Sequence, residues 1–196
     1  MEAATIKRLS KEALEDSIAH GYRDHETAPD RICTKAMCEV AEAVSAFRDN
    51  KLAKVRGFIR SNQINDKQSD HPSHDDNFMT NYRARMKDSV QDELADVVIY
   101  LLILISKFDD QDIPDISKER YKIIPDDFVM AAGQLMRYLT ICTWPAEVFN
   151  AVRAIDYIER WMYHVTGDDL EWCVEQKMKF NKLRPYRHGR KDDPTL

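Results

Sequence analysis

Two stretches decide how the chain folds: "KAMCEVAEAV", Lys35 to Val44, and "DSVQDELADVV", Asp88 to Val98. Each sets two acids three residues apart in a helix-forming, largely apolar segment: Glu39 and Glu42 in the first, Glu93 and Asp96 in the second. An α-helix turns about 100° per residue, so with Glu39 at zero the residues Cys33, Met37, Val40, Ala43, Val44 and Phe47 form a stripe to one side, and Glu42 lies about 60° to the other. With Glu93 at zero, Val90, Leu94, Val97, Val98, Leu101 and Ile105 form the same stripe, and Asp96 takes the place of Glu42. Packed antiparallel by these stripes, as in helical bundles, the two helices bring all four carboxylates to one side of their seam. Unneutralised acids at such close quarters repel one another and raise one another's pKa. A divalent cation resolves the conflict, and an all-oxygen ligand set favours Mg²⁺, with Mn²⁺ as the alternative, over zinc. A di-iron bundle also uses helical carboxylates, but its Glu-x-x-His pairs are absent from both motifs. The bland alternative for either motif taken alone is a solvated helix flank.

The rest of the chain fits an all-α protein. It has 196 residues, 43% of them hydrophobic, and only five glycines, which suits one domain with a sizeable core. Apolar periodicity predicts helices over about Ile6–Ala19, Pro29–Asn50, Arg83–Phe108, Asp127–Cys142, Pro145–Gly167 and Asp168–Leu183. In the first of these, Ile6, Leu9, Ala13 and Ile18 share a face. Between the second and third, residues 51 to 81 read as a long polar loop that includes His71 and His74. A short extended piece over 120–125 is the only competitor to helix. The expected architecture is an antiparallel helical bundle, one domain over 1–196.

The net charge of −5 argues against a general nucleic-acid binder. The longest apolar run, Val97 to Ile105, is too short to cross a bilayer, so no membrane association is expected. No targeting segment is read. The four cysteines (Cys33, Cys38, Cys142, Cys173) form no CxxC pair and read as reduced thiols, so the expected compartment is the cytoplasm.

A second informative stretch is "KMKFNKLRPYRHGRK", Lys177 to Lys191, which is basic and contains no acid. Lys177, Asn181 and Arg184 recur at helical spacing and can share a face. Arginine forks and lysine point charges suit phosphate oxygens. Metal-binding carboxylates beside a cationic grip are what polyphosphate hydrolysis needs.

With these residues in view, "CEVAEAV", "DELADVVIYLL" and "EQKMKFNKLRPYRHGRK" resemble the MazG-like nucleoside triphosphate pyrophosphohydrolases of the all-α NTP pyrophosphatase superfamily. "HGYRD", from His20, is similar to a stretch that precedes the first motif in such proteins. The resemblance covers roughly half of the chain, over about residues 20–50, 83–108 and 167–191. It implies Mg²⁺-dependent cleavage of a nucleoside triphosphate between the α and β phosphates, giving the monophosphate and pyrophosphate. By motif, Glu39, Glu42, Glu93 and Asp96 are the implied metal ligands and catalytic acids, one of them helping to deprotonate the attacking water. Lys177, Asn181 and Arg184, with Arg187 and His188, are the implied substrate contacts. Tyr22, Phe47 and Trp172 are candidates for stacking on a base. A homodimer is the expected assembly. The alternative function is a non-catalytic nucleotide-sensing or interaction module on the same bundle.

The chain departs from the short family pattern by its long spacer and by about 60 residues between the second acidic motif and Gly167. A degenerate tandem repeat, a fused pseudo-dimer with halves 20–110 and 126–191, accounts for the second departure. "AAGQLMRYL", Ala131 to Leu139, aligns with Ala36 to Val44; Gln134 and Arg137 then replace Glu39 and Glu42, and Arg153 and Asp156 match Glu93 and Asp96. In that arrangement the first half supplies acids and the second half cations.

Overall fold

The computed structural model describes residues 1–22, 26–66, 74–108, 112–114, 116, 124–142 and 147–184. Among them are eight α-helices and no strand: α1 (Ala3–Ala19), α2 (Pro29–Arg48), α3 (Val55–Asp66), α4 (His74–Arg85), α5 (Val90–Ser106), α6 (Phe128–Thr140), α7 (Glu147–Val165) and α8 (Leu170–Lys182). They pack as the expected all-α bundle.

The bundle is organised around α5. Its sequence is apolar nearly all round, and a helix of that kind must be buried on all sides. Accordingly α2 lies along it as its most extensive partner, and α1, α7 and α8 cover its remaining faces. Only Asp96, Ile99 and Tyr100 of α5 are half-exposed. The register against α2 is antiparallel. The Val90 N–H donates to the Lys51 carbonyl at 3.0 Å, just past the end of α2. Further along, Glu42 and Glu39 sit beside Glu93. The buried face of α2 takes in Cys33, Val40 and Ala43, as its stripe predicts. It also takes in Ile32, Ala36 and Ala46, so the helix is rolled toward its acids.

Most helix ends follow local chemistry. Pro29 occupies the first turn of α2, where its missing N–H is not needed. Asp127 caps α6 by accepting from Val129 N, and Asp169 caps α8 by accepting from Trp172 N. Gly167 stops the chain after α7 with φ of 72°, a conformation glycine adopts without a Cβ penalty.

Two expectations need correction. The helix expected over Arg83–Phe108 is two helices, α4 and α5. Asp88 takes φ of 60°, a left-handed conformation that Asp tolerates, and Ser89 starts α5 by accepting from Asp92 N. Helix-forming residues on both sides hid that break. The stretch read as a polar loop over 51–81 contains α3 and part of α4. Its apolar residues are sparse, but Phe58, Phe78 and Tyr82 pack edge-on or tilted with centroids 5.6 to 5.9 Å apart, and Trp172 of α8 meets Phe58 at 5.9 Å. Tertiary packing overrides weak local periodicity here. His74 opens α4, whereas His71 and residues 120–123 lie outside the described residues. In α1, Ile6, Leu9 and Ala13 are buried, but Ile18 is 46% exposed.

Leu101 is fully buried at the centre of α5. Leu101→Ala should therefore cost about 3 kcal/mol and lower Tm by about 6–12 °C. Met130→Ala, at a side chain 69% exposed, should stay within about 0.5 kcal/mol of the parent. Thermal unfolding followed by circular dichroism checks both.

Candidate metal and phosphate site

Glu39, Glu42 and Glu93 meet across the α2–α5 seam, with one carboxylate oxygen from each lying within 4.8 Å of the others. Glu93 is 7% exposed, Glu39 half-buried and Glu42 exposed. Among the described residues no hydrogen bond or ion pair neutralises any of the three. Burial pushes the Glu93 carboxyl up to about 8, and Asp92, Asp96 and Glu42 add repulsion while Lys177 pulls the other way. Burial likewise raises Glu39 to about 7, followed by the repulsion of Asp96 and Glu42.

Asp96 lies beside this trio but spends its carboxylate differently. Lys177 of α8 places its Nζ 2.6 Å from Asp96 Oδ2 and 2.8 Å from Asp92 Oδ1. Burial still raises Asp96 to about 6, against the pull of Lys177. Burial also works against the Lys177 ammonium, but Asp96 and Asp92 outweigh it and hold the side chain charged above the ordinary lysine range. Asp92 is a buried hub that sequence reasoning missed. It accepts from Tyr82 Oη at 2.5 Å, from the Asp88 N–H at 3.0 Å and from Lys177. The available signal was Ser89, three residues upstream, which marks Asp92 as the third residue of a capped helix. Tyr82 keeps its proton because burial and the neighbouring Asp92 both raise its pKa.

The sequence-predicted grip is thus partly redistributed. Lys177 stands inside the acidic group as its internal counter-ion. Asn181 and Arg184, one and two turns further along, line a cavity of about 420 Å³ that opens beside the acids. Glu39 and Asp96 form part of its wall, and so do the half-exposed Ile99 and Tyr100 of α5. Further lining comes from α1 and the residues just after it, including Asp16, His20 and Tyr22. The lining from α1 was not anticipated, since nothing in the periodicity of α1 distinguishes it. Arg187 and His188 lie outside the described residues. Of the three stacking candidates, Tyr22 reaches the cavity. Phe47 packs against Phe128 and Trp161 with centroids 6.1 Å apart, and Trp172 packs on Phe58.

The positions aligned with the acids in residues 126–191 have other partners. Arg153 lies over the Tyr138 ring at 5.0 Å, and Asp156 pairs with Arg160 at 2.8 Å. Lys177, from that part of the chain, meets Asp92 and Asp96 from the earlier part.

No family model, no curated protein and no solved structure matches this chain significantly. The reading of the site therefore rests on its own chemistry. Three carboxylates with no ion pair among the described residues, one of them buried, are a donor set that fits a hard divalent cation such as Mg²⁺ or Mn²⁺. Glu39, Glu42 and Glu93 would hold it, with Asp96 adjacent.

Two outcomes follow. Removing Lys177 breaks a buried ion pair and leaves its acidic partners without their cation, so Lys177→Met should lose about 3–5 kcal/mol in urea unfolding; an unchanged midpoint would contradict the assignment. The second concerns pH. The folded chain keeps protons on Glu39 and Glu93 that the unfolded chain releases near the usual glutamate pKa. Without metal, stability should therefore fall as pH rises from about 5 through about 8. Mg²⁺ requires the ionised carboxylates, so its addition should release protons near neutral pH and flatten that decline. Thermal melts with and without Mg²⁺, and calorimetry in two buffers of different ionisation enthalpy, read the two effects.

Proposed function

We propose that the protein is a Mg²⁺-dependent nucleoside triphosphate pyrophosphohydrolase of the MazG-like type, cleaving between the α and β phosphates to give a nucleoside monophosphate and pyrophosphate. The observation that carries this reading is the continuity of the acid cluster with the cavity. Glu39 belongs to both, so a cation at the carboxylates and an organic group in the cavity would be neighbours.

The division of labour follows from the residues. When bound, the cation supplies charge neutralisation to the phosphates and an acidified water. Glu39, Glu42 and Glu93 hold it. Lys177 fixes Asp96 against the core and sets its direction. Arg184, an exposed residue of the cavity lining, is suited to phosphate oxygens through its forked donors. Tyr22 and Tyr100 offer aromatic surface to a base. In the hydrolysis itself, a water oxygen adds to phosphorus as the bridging P–O bond breaks, and the water's proton passes to a carboxylate.

The free thiols, with Cys33, Cys142 and Cys173 buried, support a cytoplasmic setting. Among the described residues no helix is long and apolar enough to cross a membrane. A homodimer belongs to the same reading, and the exposed Val129, Met130 and Ile141 at α6 are apolar surface that it would cover.

The test is a panel of canonical and modified triphosphates with Mg²⁺, with monophosphate and pyrophosphate measured separately. Losing a residue that merely supports a metal ligand costs about 10- to 100-fold. Glu93→Gln removes a ligand, so it should lower kcat/KM by at least about 100-fold while leaving the fold intact. Binding of nucleotides without pyrophosphate release would instead identify a nucleotide-sensing module.

A further inference from the structure

Along the two helices that carry it, the acid cluster has two sides, and the cavity lies on one of them. On α5 the cavity is lined by Asp96, Ile99, Tyr100 and Ile103, all beyond Glu93 toward the C-terminus. On α2, which runs the other way, Glu39 reaches the cavity, while Glu42, nearer the C-terminus, belongs to the acid cluster. The other side of the cluster is therefore the end where α2 stops and α5 starts. The bond from the Val90 N–H to the Lys51 carbonyl joins the two segments there.

Two exposed lysines stand at that end. Lys87 Nζ lies 2.9 Å from Asp88 Oδ1. Asp88 in turn has a carboxylate oxygen within 4.8 Å of one from Glu93, so the ammonium is a single carboxylate away from the acid cluster. Lys51 Nζ lies 3.1 Å from Asp49 Oδ2. Asp49 ends α2 about two turns past Glu42, on the same face. Both helices thus give the same order: cavity, acids, lysine. Each lysine is paired with an acid that is itself exposed, and water and salt screen such pairs. A multiply charged phosphate group is the stronger partner for an ammonium.

We infer that Lys87, with Lys51 beyond it, binds the terminal phosphates of the triphosphate, so that the substrate lies along the α2–α5 seam with its nucleoside in the cavity and its leaving pyrophosphate at the two lysines. This deepens the proposed function and rests on it. The order of features along both helices sets the polarity, with the acid cluster between the nucleoside end and the terminal end. Arg184, which shares the cavity wall with Asp96, is then left to the phosphate next to the sugar. When the bond between the α phosphorus and the bridging oxygen breaks, its electron pair stays on pyrophosphate. Two ammonium groups at that end stabilise the charge as it develops.

The two products of the reaction separate the two ends of the site. Calorimetry with Mg²⁺ present measures the binding of pyrophosphate, and separately of AMP, CMP, GMP and UMP. Lys87→Met and Lys51→Met should each weaken pyrophosphate about fivefold or more, while the monophosphate that binds wild type best stays within about twofold. Both side chains are exposed, so these variants should fold as the parent does. Lys87→Arg keeps the charge and should retain most of the pyrophosphate affinity. Lys11→Met, at an exposed lysine that lines neither the cavity nor the acid cluster, should change neither product. Unchanged pyrophosphate binding in both methionine variants overturns the inference, as does an equal loss for monophosphate and pyrophosphate. Wild-type protein that hydrolyses a triphosphate but binds no pyrophosphate also overturns it, and the hydrolase reading then stands. Absence of triphosphate hydrolysis together with absence of binding of either product overturns both readings.

Discussion

Lys177 sits between Asp92 and Asp96 with almost no solvent around it, and the geometry of the site depends on that arrangement. A buried ammonium is costly unless its charge is matched, and a buried Asp92 is costly unless its oxygens are filled. Each solves the other's problem, with Tyr82 and the Asp88 N–H completing the shell of Asp92. The consequence reaches beyond the pair. It pins α8 to the start of α5, and helical spacing then carries Asn181 and Arg184 to the cavity on the same face. It also turns Asp96 toward α8, so that among the described residues Glu39, Glu42 and Glu93 form the group without ion pairs.

That division separates two kinds of carboxylate on one short stretch of helix. Asp92 and Asp96 are compensated from within the chain. Glu93, next in sequence to Asp92, is buried with no ion pair among the described residues, and Glu39 meets it across the seam. Among the described residues a lysine pairs with two acids while their neighbours have no such partner, and without metal, burial biases those neighbours toward the protonated form beside a cavity. An external cation is the simplest physical answer, and it is what a phosphate substrate would need there.

Much of this was legible in the sequence because helical phase is a strong signal. The spacing of Glu39–Glu42 and Glu93–Asp96 relative to the apolar stripes places acids at the α2–α5 seam, and the antiparallel register of those helices agrees with it. Phase does not say how far a helix is rolled, so the involvement of Ala36 and Ala46 in the buried face could not be read. Nor does it report single backbone reversals. Asp88 breaks the expected long helix through one left-handed residue, which the flanking pattern conceals. The aromatic cluster of Phe58, Phe78 and Tyr82 stabilises α3 and α4 through long-range contacts that no local window contains. The role of Lys177 was legible as a cation near acids, but not as a buried one. Burial depends on which helix covers which, and the packing of α8 against α5 decides that. Asp16 was illegible for the same reason: an acid late in an amphipathic helix reads as solvated until α8 closes over it.

The central claim is that Glu39, Glu42 and Glu93 share one divalent cation. Its most direct test is anomalous diffraction from crystals equilibrated with Mn²⁺. The account places a single strong peak among these three carboxylates, at oxygen distances of about 2.1–2.3 Å, with Lys177 still bound to Asp92. Crystals saturated with Mn²⁺ that show no peak there, with the three side chains turned apart into solvent, would contradict it.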